Sequence, residues 1–578
     1  MRRFSALLFA VLSGGFLLVF MAGSAEAQAV SYTDLYDFNC GGLPATAPCY
    51  PNAPGILAQG TDGNFYGMAC DTLAFCGNGY IFTTTSSGAL TVLQSFTGTT
   101  SGSPGLTLGP DGNFYGVTSF GGTSNLGTIF KITPTGVLTT LHSFNGKDGF
   151  SPASPPVLGD DGYLYGTAVN FGYKVSTSGK FSVLTDLIPY EQATPTMGSV
   201  APLLLASDGT FYGTIPQGNR NGASPGGTVF RMSPGGAVTV IYNFEPDDTG
   251  TNFPQGNFPY GGLAQGADGN LYGTTGYGGA GCSICGVVFQ LTRGGSLGWE
   301  YSFTGLNDGY LPQAGLVAAN DGSFYGATTF TGCDVGDCNG TIFSVNDSGS
   351  FNLVYLLTAD CSAGSCYGGE PVATPMQATD GKIYGTTSQG GFWNQGVFYA
   401  LDIGAVKMVS TIQPSGKSGQ TVGILGQGFT STSRVAFNGV AAKIVTVSDT
   451  YLTTKVPAKA TSGQITVTTS GLTLTSNRNF RVLTTTITAV TTSGSPSQAG
   501  QPVTFTSTIT PKAGTIPDGE LVTFFDGAKK IGTGTTLGGA ATFTTSALKA
   551  KTHTIKASYE GDGSFLTSSG KVTQAVTP

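Results

Sequence analysis

Ten cysteines stand as five close pairs: Cys40 and Cys49, Cys70 and Cys76, Cys282 and Cys285, Cys333 and Cys338, Cys361 and Cys366. Thiols at such spacings form local disulfides, run redox exchange as Cys-x-x-Cys, or hold zinc with help from histidine. No βαβ pattern surrounds Cys282, and the chain has only two histidines, His142 and His553. Five local disulfides in an exported protein are the expectation, with no metal and no cofactor. Two histidines also leave little room for a Ser-His-Asp triad, so no catalytic residue is assigned. Loop acids (Glu191, Glu245, Asp247, Asp248, Asp334, Asp337, Asp360 and Glu370) could in pairs serve glycoside hydrolysis, but their scatter reads first as solvated loop residues. Phe120, Tyr277, Phe330, Phe392 and Trp393 stand beside loop glycines, where exposed rings suit stacking on sugar faces or on a protein partner.

The elements that must carry these residues come from one repeated phrase: Asp-Gly, any residue, an apolar residue, Tyr-Gly. It begins at Asp62, Asp111, Asp161, Asp208, Asp268, Asp321 and Asp380, at spacings of 49, 50, 47, 60, 53 and 59 residues. Such a period indicates stacked supersecondary units. Repeat 2 shows four strands, a to d: Gly105 to Leu108, Asn113 to Ser119, Gly127 to Ile132, and Val137 to Phe144. Asp-Gly at the a–b junction suggests a two-residue type I′ hairpin. Seven four-stranded units predict an all-β fold headed by a seven-bladed β-propeller.

Repeat 7 ends after strand c, while a lone d-like strand, Tyr32 to Phe38, precedes repeat 1. Residues 30–39 are therefore expected to complete the last blade, giving a propeller over 30–404. The a–b and c–d turns then share one face, short and uniform. The b–c and d–a connections share the other, long and varied, and carry all five cysteine pairs and the five aromatics. Variable loops on a rigid scaffold are where binding usually sits. The motif aspartates read as turn formers, and the motif tyrosines as core between blades.

Composition fits. Glycine numbers 91 and charged residues are only 10%, against about 25% in average proteins. With 37 Phe and 24 Tyr there is ample surface to bury, which argues against disorder. A net charge of −7 argues against nucleic acid as a partner. Residues 1–27 read as a secretory signal, with Arg2 and Arg3, an apolar stretch from Ala6 to Phe20, and Ala25-Glu26-Ala27 before the cut; no membrane span is expected in the mature chain.

After Ile403 the texture changes. Residues 406–483, with Ile412-Gln-Pro-Ser-Gly416, Val435-Ala-Phe-Asn-Gly439 and Phe480-Arg-Val482, resemble the IPT/TIG family of Ig-like sandwiches. Residues 484–577, with Val522-Thr-Phe-Phe-Asp-Gly527 and Tyr559-Glu-Gly-Asp-Gly-Ser-Phe565, resemble a bacterial Ig-like repeat domain. The propeller resembles the GloVer repeat family in its Asp-Gly-x-aromatic-Tyr-Gly-x-Thr phrase, in Gly121-Gly122, and in the Gly-Thr-Ile/Val-Phe strands at Gly127, Gly227 and Gly340. That resemblance implies a bacterial surface or secreted protein and no particular activity.

The expectation is thus a secreted or cell-surface recognition protein. Its long loops bind glycan or protein, and its sandwiches serve as spacers. The alternatives are a carbohydrate-active enzyme using loop carboxylates, and a structural envelope or matrix protein.

Overall fold

A computed structural model describes residues 30–39, 56–70, 79–96, 105–169, 171–187, 201–217, 226–247, 252–280, 282–332, 338–358 and 368–578. The described residues form strands and no helix. Seven four-stranded antiparallel sheets run in the order a-b-c-d. In blade 2 the strands are Thr107–Leu108, Phe114–Thr118, Thr128–Ile132 and Leu138–Ser143. In blade 7, Met376–Gln377, Ile383–Thr386 and Val397–Asp402 are joined by Ser31–Asp37 as outermost strand, which pairs antiparallel with Val397–Asp402.

The turns differ in type from the two-residue hairpin that Asp-Gly suggested. In blade 1 the Gly63 N–H donates to Gly60 O at 3.0 Å and the Gly60 N–H to Asn64 O at 2.8 Å, and only Gly63 has positive φ, +84°. This is a three-residue loop, a type I turn closed by a left-handed glycine. Right-handed aspartate is what the geometry uses. Asp62 Oδ1 accepts the Asn64 N–H at 3.1 Å, and Oδ2 accepts the Tyr66 hydroxyl at 2.8 Å. The hydroxyl bond recurs in every repeat, from Tyr115 to Asp111, Tyr165 to Asp161, Tyr212 to Asp208, Tyr272 to Asp268, Tyr325 to Asp321 and Tyr384 to Asp380, at 2.7–2.9 Å. The two ends of the phrase therefore satisfy each other. A large ring is buried and its polar tip is paired at the rim.

Adjacent strand residues point to opposite faces, and both faces are core. Phe65 packs towards blade 7 and Tyr66 towards blade 2. Tyr66 stacks on Phe114 at 4.0 Å, Tyr165 on Phe211 at 4.3 Å and Tyr272 on Phe324 at 3.9 Å. Tyr384 of blade 7 meets Phe65 of blade 1 at 4.2 Å, so the ring of contacts closes. Near the axis, backbones crowd. A Cβ on Gly105 would lie 2.6 Å from Ile56 N, and one on Gly315 would lie 2.7 Å from Gly262 O.

Beyond the propeller, Ser410–Thr411, Thr421–Leu425, Tyr451–Lys455 and Ile444–Val447 form one sheet of a sandwich around Val422, Phe437 and Phe480. A five-stranded and a three-stranded sheet make the next, around Phe505, Phe524 and Tyr559. Both sandwiches touch the propeller's turn face: in the first, Thr450 Oγ1 donates to Thr61 O at 2.8 Å and Arg481 pairs with Asp160 at 2.7 Å, and in the second, Glu560 accepts the Ser233 hydroxyl.

Candidate functional site

The face opposite the turns is built by b–c loops and d–a connections that bridge to each other: Phe150 with Val169, Asn257 with Tyr277, Tyr310 with Phe330. In four repeats the extended phrase ends in Thr, which sets the start of the loop. Thr118 Oγ1 donates to Phe120 O at 2.7 Å, Thr275 to Tyr277 O at 3.0 Å, Thr328 to Phe330 O at 3.2 Å and Thr387 to Gln389 O at 2.8 Å. Phe120, Tyr277 and Phe330 therefore occupy one loop position in three blades.

Phe392 and Trp393 occupy another. In blade 7, Gly390 and Gly391 both have positive φ, and Asn394 is left-handed at φ +54°, with its Oδ1 accepting the Gly390 N–H at 2.9 Å. Blade 2 builds the same loop from Gly121, Gly122 and Asn125 (φ +55°), again with Oδ1 accepting the Gly121 N–H at 2.9 Å. The two tip residues between the glycines and the asparagine are Thr123 and Ser124 in blade 2, but Phe392 and Trp393 in blade 7. The loop closes either way, so the rings are not needed to make it. They stand 59% and 51% exposed, in a T-shaped pair with centroids 4.8 Å apart. Asp37 Oδ1, on the ring-closing strand, accepts the Phe392 N–H at 3.2 Å.

The other three aromatics divide. Phe120 is 44% exposed. Tyr277 and Phe330 are half-buried against the d–a connections, Tyr277 meeting Phe258 at 5.6 Å and Phe330 meeting Tyr310 at 5.4 Å. Those connections carry a feature the sequence reading missed. Ser151, Phe258, Leu311 and Glu370 each precede a proline and have φ of +48° to +59°. Non-glycine residues avoid this region and keep it only where surroundings over-determine it. Here they do. The Phe258 N–H donates to Gly226 O and its carbonyl accepts the Gly276 N–H, both at 2.9 Å, so one residue staples two blades. The proline then fills the space over the glycine opening strand c. A Cβ on Gly127 would lie 2.6 Å from Pro152 Cδ, and one on Gly227 2.5 Å from Pro259 Cδ. The recurring Gly-Pro offset was the available signal.

Of the loop acids, Glu245, Asp247 and Glu370 are described; Glu191, Asp248, Asp334, Asp337 and Asp360 lie outside the described residues. Asp247 Oδ2 accepts the Asn252 amide at 2.9 Å. Burial raises the Glu370 carboxyl above its usual range, against hydrogen bonds from Gln389 and Ser388. His142 sits in the outer strand of blade 2, stacked on Phe181 at 3.6 Å and 3.0 Å from Asp148. His553 is buried in the last sandwich, with Nδ1 2.7 Å from Asp526 and Nε2 2.8 Å from Lys549 O. His142 thus pairs with the d–a connection after blade 2, and His553 lies in a sandwich core. Cys282 and Cys285 are joined as a disulfide, Cα–Cα 5.3 Å. Cys40, Cys49, Cys76, Cys333, Cys361 and Cys366 lie outside the described residues, as do the side chains of Cys70 and Cys338.

A closed ring of four-stranded blades with loops gathered on one face defines a β-propeller protein, here carrying two sandwiches. The Gloeobacter/Verrucomicrobia repeat matches residues 50–251 and 171–336, the IPT/TIG domain residues 408–482, and the bacterial Ig-like domain (group 3) residues 490–577. The chain carries the Gloeobacter/Verrucomicrobia repeat and those two Ig-like modules. No curated protein matches it. Among solved structures, it is 12% identical to an extracellular domain assigned to a hybrid two component system of B. thetaiotaomicron, covering 91% of this chain and 62% of that one at a TM-score of 0.35. A structural genomics protein of unknown function from Bacteroides thetaiotaomicron is 12% identical, over 64% and 76%, at 0.36. An auxiliary nutrient binding protein from the same organism is 9% identical, over 64% and 76%, at 0.31. The chain thus spans less than two thirds of the first of these.

Proposed function

We propose that this is an exported recognition protein that binds a glycan on its long-loop face, through the Phe392–Trp393 tip. One observation carries the reading. Blades 2 and 7 build the same Gly-Gly-x-x-Asn loop, and only blade 7 places two large rings at its tip, over half exposed and held by Asp37 and Asn394. Exposed rings cost solubility and are unneeded for the loop, so contact with a ligand accounts for them. Stacking on the C–H faces of sugars uses such rings with little loss of conformational freedom. Export is supported by the charged, apolar and small-residue pattern of residues 1–27 and by paired cysteines.

The test is affinity electrophoresis or pull-down on a panel of plant and microbial polysaccharides. Retention by at least one member, lost in Trp393→Ala, is the expected outcome. A wild-type protein retained by none of them would remove glycan as the ligand.

A further inference from the structure

Blade 7 departs from its sister blades at two more places around the Phe392–Trp393 loop, and both departures are carboxylates. The first is Asp37, which pairs in register with Val397, the opening residue of strand c. The same register position is Ser302 in blade 5, opposite Val287, and Ser143 in blade 2, opposite Thr128. In blade 5 the Ser302 hydroxyl accepts the Ala280 N–H at 3.0 Å, just after Gly278 and Gly279. Asp37 does the same for the Phe392 N–H, just after Gly390 and Gly391. A neutral hydroxyl therefore suffices to hold this loop, and blade 7 uses an anion.

The second is Glu370. Of the four left-handed residues that precede a proline, Ser151, Phe258, Leu311 and Glu370, only the last is ionisable. The Glu370 carbonyl accepts the Ser388 N–H at 3.1 Å, as the Leu311 carbonyl accepts the Thr329 N–H at 3.1 Å. The staple between segments thus forms equally with a leucine. Gly368–Gly369 pairs antiparallel with Gln389–Gly390, which sets Glu370 beside the residues that lead into the tip. The Ser388 hydroxyl lies 3.5 Å from Glu370 Oε2. Countercharge is scarce: the described b–c and d–a loops hold one cation, Lys147, in the connection after blade 2.

Given the glycan reading of this tip, we propose that it selects an uncharged polysaccharide. Asp37 and Glu370 make the rim of the site anionic, so a neutral chain stacks on Phe392 and Trp393 while a chain bearing carboxylates or sulfates is repelled.

The two cases differ in what the carboxylates meet. Sugar hydroxyls donate hydrogen bonds to them, and bonds to an ionised acceptor are the stronger kind. An acidic sugar instead brings a further anion to a partly desolvated rim, where like charges repel and discrimination follows from the repulsion. Salt sets its reach, which shrinks from ~30 Å at 0.01 M to ~3 Å at 1 M.

The probes are the neutral polysaccharide that retains the wild type and the same polymer carrying scattered carboxymethyl groups. Both are titrated at about pH 8, where carboxylates are ionised. At about 0.01 M salt the carboxymethyl form should bind the wild type about tenfold more weakly, and about 1 M salt should remove most of that penalty. In the Asp37→Asn, Glu370→Gln double variant, checked for folding by circular dichroism, the ratio of the two affinities should approach one. If that variant does not fold, the salt titration of the wild type decides. Equal binding of both forms by the wild type, or a penalty that survives high salt or survives in the variant, would overturn selection by charge and leave the tip as a glycan site. Retention by acidic polysaccharides alone would do the same. A wild type retained by no polysaccharide removes the glycan reading, and the selection with it.

Discussion

Asp37, the last residue of the ring-closing strand, accepts the backbone N–H of Phe392, 355 positions away. The strand that closes the propeller ring thus also holds the loop that displays the most exposed pair of rings among the described residues. Ring closure and the proposed site are one piece of structure, which makes the role of Asp37 separable by substitution. Asp37→Asn keeps an acceptor oxygen and is expected to retain binding. Asp37→Ala frees the Phe392 N–H at the surface and should weaken glycan retention several-fold, while the melting temperature changes little. Equal binding by both variants would show that the loop needs no such hold.

Phe65 lies at the closing seam, against Tyr384 and Phe398. Phe65→Ala is expected to cost about 3–5 kcal/mol, as for other buried aromatics. Denaturant unfolding would read it as a shifted midpoint. Removing residues 30–38 should do at least as much, because it exposes the edge of Val397–Asp402. A propeller that tolerated both would not be held as a closed ring.

All seven motif tyrosines are raised above their ordinary value of 10, by burial first and by the paired aspartate in addition. Raised phenols contribute stability that is full below pH 10 and is lost above it. The phenolate absorbance of these seven should therefore appear only with alkaline unfolding, in one step with loss of the β signal. Seven phenols titrating near pH 10 in folded protein would contradict their burial.

Asp111→Ala leaves the Tyr115 hydroxyl without its acceptor and the Asn113 N–H without a cap. The expected cost is about 1.5–3 kcal/mol, the range for hydrogen bonds to charged groups. Tyr115→Phe should cost less, since only one bond is lost and the ring still packs. The measurement is the midpoint difference between the two in guanidinium.

How much of this could be read from residue order follows from which contacts repeat. Blade identity was legible because Asp111 to Tyr115 and its six counterparts recur at near-constant spacing, and so was the displaced strand at Tyr32–Phe38. The turn type was not, because Asp-Gly serves both hairpin classes and only the cross-strand pairing decides how many positions the loop spans. The Asp–Tyr bond was hidden for a similar reason: one side chain was assigned to a turn and the other to the core, and the bond lies between them. Phe120, Tyr277 and Phe330 looked alike beside their glycines. Their exposure diverges because Phe258 and Tyr310 arrive from other segments. Arg481 and Asp160 are 321 residues apart and belong to no period, so nothing in the order linked them.

The account stands most directly on a loop exchange. Phe392→Thr with Trp393→Ser copies the tip of blade 2 onto blade 7, where the Gly390, Gly391 and Asn394 frame already matches. Titration against the polysaccharide that the wild type retains should show binding lost by at least tenfold, with melting temperature and scattering profile unchanged. Undiminished binding by that folded double variant would contradict the claim that this tip is where the protein recognises its ligand.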